Sequence, residues 1–288
     1  MLFRSTVGGG LTQNREITYK TNYRNKQLQF NNGSFVRNVY NIGGSYQIRK
    51  GYYKKEVILL SYSHYNVSDS VVSKYNPDYF SETKSSAGFP EVSYFKSYLH
   101  LDNINFPLEG KTWSWGVSKR GISWKEKNSF VSLDGSYARY ITHTKNWYSS
   151  FQASGRLRIP FDQPFINQRA LGYEGFYLRG MEYYVVDGVA TALAKYTLRK
   201  KLFRFSIPLP FHIQQLPEIP FSFYAKAYAD AGYCYNQQAL KTQFNNKFLY
   251  SGGIGLDILT LYDFSLRIEY SINQLGEKGL FLHSRGGF

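Results

Sequence analysis

A lone cysteine, Cys234, rules out a disulfide framework and a cysteine zinc site. Its place near the end of a strand pattern marks it as incidental. No run approaches the roughly 20 apolar residues that a membrane-spanning helix requires. Met1 to Gly10 lacks a charged segment followed by an apolar one and a cleavage site, so a secretion leader is expected to be absent from this chain. Acids are few: 20 Asp and Glu against 35 Lys and Arg give a formal charge of +15, which raises nucleic acid as a partner. No recognition helix, zinc spacing or RNA-binding aromatic motif accompanies the charge, even at its densest run, Arg199, Lys200, Lys201 and Arg204, so nucleic acid is excluded. No linker or shift in composition divides the chain, and a single domain over residues 1–288 is predicted.

Catalytic signatures are missing as well. His64, His100, His143, His212 and His283 show no metal spacing, and no paired carboxylates stand out. His283 beside Ser284 cannot act as base and nucleophile, because neighbours on a strand face opposite sides. The expectation is a protein without catalytic residues, metal or cofactor.

What the chain does have is aromatic residues, 27 Tyr and 22 Phe, in an alternating arrangement. Aromatic and β-branched residues favour strands. From Phe264 to Ile272, Phe264, Leu266, Ile268, Tyr270 and Ile272 alternate with Ser265, Arg267 and Glu269. From Phe221 to Tyr233, Phe221, Phe223 and four alanines alternate with Ser222, Tyr224, Lys226, Tyr228 and Asp230. Trp113, Trp115 and Val117 alternate with Thr112, Ser114, Gly116 and Ser118. Lys278 to Phe288 ends the chain with Leu280, Leu282 and Phe288 on one face and His283 and Arg285 on the other. Apolar-out, polar-in alternation over about ten residues is the signature of a membrane barrel, since a closed sheet satisfies every backbone group in hydrocarbon. The fold expected is all-β, a transmembrane antiparallel β-barrel of about 12 to 16 strands in a bacterial outer membrane. Asp230 then lies in the lumen, and Lys and Arg sit in the wet lumen and at the polar rims beside lipid phosphates.

Thirteen strands are countable: Leu2 to Gly10, Arg15 to Arg24, Val39 to Arg49, Glu56 to Asn66, Tyr94 to Asp102, Thr112 to Arg120, Ser129 to Ile141, Trp147 to Arg158, Ala190 to Arg199, Phe221 to Tyr233, Phe248 to Ile258, and the last two described above. An odd number separates the two chain ends across the membrane. Either a strand is merged or missed, around Lys26 to Gly33, or the chain is part of a larger barrel. With Phe288 in the periplasm, the long connections Val67 to Pro90 and Ile159 to Asp187 fall outside the cell, while the proline-rich stretch Lys200 to Pro220 forms a long periplasmic connection.

Within the longest outer connection, Leu178, Arg179, Gly180, Met181 and Glu182 follow a segment dense in glycine and aromatics. This resembles the loop motif of the BamA/TamA superfamily of outer-membrane insertases, the bacterial surface antigen family. Tyr228, Ala229, Asp230, Ala231 and Gly232 are similar to its aromatic-x-Asp-x-Gly strand motif. His100, Leu101, Asp102 and Asn103, then Pro107 and Gly110, look like its strand-turn-strand signature, and Phe281 to Phe288 like its final strand. The resemblance runs from about Tyr94 to Phe288. It implies a loop folded into the barrel whose Arg179 pairs with Asp230, against the plainer reading of an ordinary ion pair bracing a loop. It also implies a seam between the first and last strands that opens to an incoming strand, and makes Gly286 and Gly287 either a kink in that seam or a chain-end turn. The partners implied are unfolded outer-membrane proteins, outer-membrane lipids including lipopolysaccharide, and periplasmic accessory subunits. Two positions depart from the pattern: Met181 replaces an aromatic residue, and Thr197 stands where a glutamate is usual, so Arg179 is expected to have fewer acidic partners. The transport-associated repeats that precede such barrels are not found in this chain.

Overall fold

A computed structural model describes residues 2–123, 126–173, 175–208, 218–238 and 242–285. Twelve strands form one antiparallel meander: β1 (Leu2–Asn14), β4 (Arg37–Lys50), β5 (Lys54–Val67), β6 (Ser86–Leu101), β7 (Gly110–Arg120), β8 (Phe130–Thr144), β9 (Trp147–Ile159), β12 (Ala190–Pro208), β13 (Glu218–Tyr235), β14 (Phe248–Leu259), β15 (Ser265–Asn273) and β16 (Lys278–Arg285). Two small hairpins stand apart, β2 (Glu16–Thr21) with β3 (Gln27–Asn31) and β10 (Arg169–Leu171) with β11 (Val186–Asp187). The large sheet is not closed among the described residues, and β1 and β16 are its two edges.

Burial is inverted relative to a water-soluble domain. Tyr224, Lys226, Tyr228 and Asp230 of β13 are buried, as are Ser265 and Glu269 of β15, while Ile254, Tyr270, Leu280 and Leu282 are exposed on the other face. Such a continuous exposed apolar surface is what hydrocarbon requires.

The count of thirteen is corrected here. Arg15 to Arg24 alternates as a strand does, but as β2 it pairs with β3 above the sheet. The stretch around Lys26 to Gly33, suspected of hiding a strand, holds that partner. Alternation identifies an extended segment without saying which sheet receives it. With twelve strands both edges of the meander end at the same pole, opposite the long connections 15–36, 68–85 and 160–189.

A second correction concerns Lys200 to Pro220. Instead of a long connection, β12 and β13 run on as a paired hairpin as far as Pro208 and Glu218, although β9 stops pairing at Lys200 and β14 at Ser222. Pro220 lies beyond that last paired residue of β14, on an edge where a missing N–H breaks no ladder bond. Phe203 stacks on Phe223 at 4.7 Å and Phe205 on Phe221 at 5.5 Å, stiffening the overhang.

The long connections pack against one another. Ile17, Val36, Val71, Val72, Tyr79, Phe80 and Phe165 form one core over the end of the sheet. The Asn25 side chain, fully buried, donates to the Val185 carbonyl at 3.0 Å and accepts the Phe244 N–H at 3.0 Å. The connection after β1 thereby meets the one between β13 and β14. The sheet curls so that its ends approach through their loops.

Candidate functional site

Leu178, Arg179, Gly180, Met181 and Glu182 descend into the lumen face of β12 to β16. Small residues make this possible. Gly180 has φ +81°, and a Cβ there would lie 2.7 Å from Ser271 Cβ. A Cβ on Gly232 would meet Leu193 at 2.8 Å and Leu178 at 3.3 Å, so the bare backbone at Gly232 is the notch that seats Leu178. Leu178 and Met181 are buried with Leu171, Leu193, Phe244 and Leu249. Cys234 belongs to this same core, which gives a packing role to a residue first read as incidental.

Arg179 docks on Asp230 through the Nε/Nη2 edge of its guanidinium. Its Nε donates to Asp230 Oδ2 at 2.9 Å, its Nη2 donates to Oδ1, and its backbone N–H reaches Oδ2 at 3.0 Å. Thr197 Oγ1 accepts from Nη1 at 3.0 Å, and the cation lies 4.0 Å from the Tyr228 ring centroid. A bidentate, charge-assisted pair with a stacked face fixes orientation as well as energy. The expectation of fewer acidic partners is corrected in one respect: where Thr197 replaces a glutamate, Glu269 from β15 approaches Arg179 at 4.0 Å.

Glu269 links this pair to a longer chain of charges. Lys226 bridges Glu269, at 2.6 Å, and Asp257, which also accepts from Arg199 Nε at 3.0 Å. Arg199 in turn lies 5.3 Å from the ring of Phe106, a buried residue of the turn between β6 and β7. That turn is built by the strand-turn-strand residues. Asp102 accepts the N–H groups of Leu108 and Glu109 at 3.1 Å, and Asn103 Oδ1 accepts those of Asn105 and Phe106 at 2.8 and 2.9 Å. Pro107 is buried, and Gly110 has φ +115° with its α-hydrogen side against the His100 carbonyl. Loop motif, strand motif and turn motif thus meet along one lumen wall. Sequence parity placed Lys226, Asp230 and Glu269 in the lumen, but Asp257 as a partner of Lys226 and Phe106 as a cap on Arg199 were not foreseen; both depend on register and turn geometry.

Glu182 enters the site from the loop. Its carboxylate lies 3.5 Å from His283 of β16, which lies 3.4 Å from Glu269. Burial, aided by the like charge of Glu269, pushes Glu182 up to about 7. The donor atoms of Glu182, Glu269 and His283 fall within 4.8 Å of one another, a set of the type that holds zinc or manganese, although Lys226 already neutralises Glu269. Leu280 and Leu282 point away from the site, 72% and 68% exposed. Gly286, Gly287 and Phe288 lie outside the described residues, as does His212.

No family model matches the chain, and no curated protein does. A solved structure does: the crystal structure of BamA from Haemophilus ducreyi lacking POTRA domains 1–3 superposes with a TM-score of 0.60 over 86% of this chain. This chain has the fold of the BamA barrel. Identity is 16%, and the match spans 54% of the length of that BamA chain, so the likeness is one of architecture. Among the described residues the BamA-like sheet is twelve-stranded, with the loop motif inside it and two free edges.

Proposed function

We propose that the chain is an outer-membrane barrel of the insertase and translocase type, one that assembles, inserts or translocates outer-membrane proteins or lipids without covalent chemistry and without enzymatic activity. The observation that carries this reading is the pair of unpaired edges. Among the described residues, β16 pairs with β15 over eight register positions and β1 pairs with β4, and neither has a second neighbour. Each edge offers a row of N–H and C=O groups to an incoming strand, which adds by β-augmentation. Hydrocarbon penalises each unpaired group by several kcal/mol in round terms, so a partner strand is strongly favoured there. The loop braced on Asp230 keeps the lumen wall rigid while the edge exchanges partners. Unfolded outer-membrane proteins are the substrates, outer-membrane lipids including lipopolysaccharide surround the barrel, and periplasmic subunits deliver the cargo. A passive barrel is the rival. The lumen wall from β12 to β16, occupied by loop and ion pairs, favours it less than an open channel would.

A photocrosslinking side chain placed at Val7 on β1 or Leu280 on β16 tests the reading, with Ile42 of β4 as a lipid-facing control. Incubation with urea-denatured barrel precursor is expected to label both edges and to spare Ile42. Equal labelling at all three positions, or none at the edges together with steady single-channel conductance, returns the protein to the passive class.

A further inference from the structure

Away from the loop motif, the lumen face of β4 to β9 encloses a cavity of about 500 Å³, roofed by Ile166, Arg169 and Tyr173 of the long connection. That volume suits a compact ligand group. Among the described residues, its walls carry five arginines, Arg37, Arg120, Arg156, Arg158 and Arg169, against two carboxylates, Glu91 and Asp134.

The two acids are already engaged. Glu91 accepts from Arg120 Nε at 2.7 Å, and Asp134 from Arg156 Nε at 2.5 Å. Arg158 donates to the carbonyls of Asn167 and Arg169, the latter at 3.1 Å. Arg37 and Arg169 are in no ion pair among the described residues, and Arg37 Nε is buried without a hydrogen-bond partner. Asp187, an acid of the same connection, accepts from the Tyr173 hydroxyl at 2.7 Å. Arg37 and Arg169 are both half-buried, and a buried guanidinium nitrogen without an acceptor, as at Arg37 Nε, is costly.

The guanidinium planes are also held in place. Arg37 lies 5.5 Å from the Tyr65 ring, Arg169 lies 5.6 Å from Tyr173, and Arg120 sits between Phe89 and Phe130 at 5.4 and 5.1 Å. These ring contacts hold the guanidinium groups at the cavity wall. Planar forks fixed in this way match the oxygens of a tetrahedral oxyanion. A neutral or cationic ligand would leave three surplus positive charges in place.

From this arrangement we infer that the cavity is a binding site for a phosphate-bearing anion, gripped by Arg37 and Arg169 and completed by the outward N–H groups of Arg120 and Arg156. The site is independent of the insertase reading, because none of its residues belongs to a free edge or to the loop motif. The phosphate can come from a free anion or from a lipid headgroup, and the two sources are separable.

Calorimetric titration of the full chain in detergent micelles at low salt uses two probes, inorganic pyrophosphate and diphosphorylated lipid A. Saturable binding of pyrophosphate, weakened about tenfold or more in Arg37→Gln and in Arg169→Gln, establishes the site with a free-anion source. Binding of lipid A alone, lost in the same two variants, establishes it with a headgroup source. Heat-modifiable gel mobility verifies that each variant is folded. Ser132→Asp adds a carboxylate to the cavity wall while keeping every arginine, and must weaken binding as well. Failure of both probes to bind, or binding that all three variants leave unchanged, overturns the proposal.

Discussion

The two halves of the lumen solve the same problem in opposite ways. Between β12 and β16 the charges alternate in a closed chain, from Arg199 through Asp257, Lys226 and Glu269 to Arg179 and Asp230, with Asp257 and Asp230 fully buried at their side chains. Between β4 and β9 the charges are of one sign in excess and surround empty space. The first half is a polar core that must be complete to exist. The second is a surface turned inward, and its strands do not depend on any one of its charges.

Removing one cation from each half gives the sharpest contrast. Lys226→Met removes the cation shared by Asp257 and Glu269, leaving Asp257 with Arg199 alone and Glu269 with Arg179 at 4.0 Å, and breaking a buried charge network of this kind costs about 3–5 kcal/mol. The expected outcome is a steep fall in the urea midpoint or loss of the heat-modifiable form. Arg156→Met unpairs Asp134, whose side chain is 30% exposed, and is expected to cost less than about 1 kcal/mol. Equal losses in the two variants would erase the distinction.

Next in size is the coupling of Arg179 with Asp230. Each change to Ala alone is expected to impair assembly by about 2–4 kcal/mol, with the double variant little worse than either single one, because losing one partner strands the other. Additive effects in denaturation midpoints would mean that the two groups do not act as a unit.

Glycines extend the comparison to packing. Gly232→Val pushes into Leu193 and Leu178, for a cost of about 1–3 kcal/mol. Gly135→Val on β8, with nothing within 4 Å of its Cβ position, is expected to be neutral or slightly stabilising. Urea titration of both variants separates a wall shaped around the loop from the outer face of β8, which Gly135 shares with Leu133 and Tyr137.

The smallest effect depends on pH. The Glu182 value is raised by burial from 4.5 to about 7, so the folded chain keeps a proton that the unfolded chain releases. Stability is therefore lost as pH rises from the unfolded value through about 7. Glu182→Gln should gain on the order of 1 kcal/mol over the parent above that range and nothing below about pH 4. A gain independent of pH would assign the effect to something other than this carboxylate.

Much of the filled half was legible in sequence. Alternation alone put Lys226, Tyr228, Asp230 and Glu269 on the lumen side, and the Arg179 and Gly180 pair marked the loop that meets them. The partners were not legible, because Asp257 reaches Lys226 through a register that no single strand encodes. The open half was harder still. Arg37, Arg120 and Arg169 stand at the start of β4, the end of β7 and the start of the small strand β10, and only the curl of the sheet gathers them. Pro220 made a paired hairpin look like a loop, since proline is excluded from central strands but tolerated at an overhang.

The notch at Gly232 bears on how such barrels could be recombined. A loop that carries Leu178 and Arg179 into another sheet would arrive without its seat, since the cavity for Leu178 is cut into β13 and the clearance for Gly180 into β15 at Ser271. The portable unit is the loop together with two small residues, Gly232 and Ser271, 52 and 91 positions downstream of Gly180 on strands it never touches covalently. Swapping the loop alone between homologues would be expected to yield chimaeras that insert poorly, and restoring a glycine and a serine at those two places to rescue them.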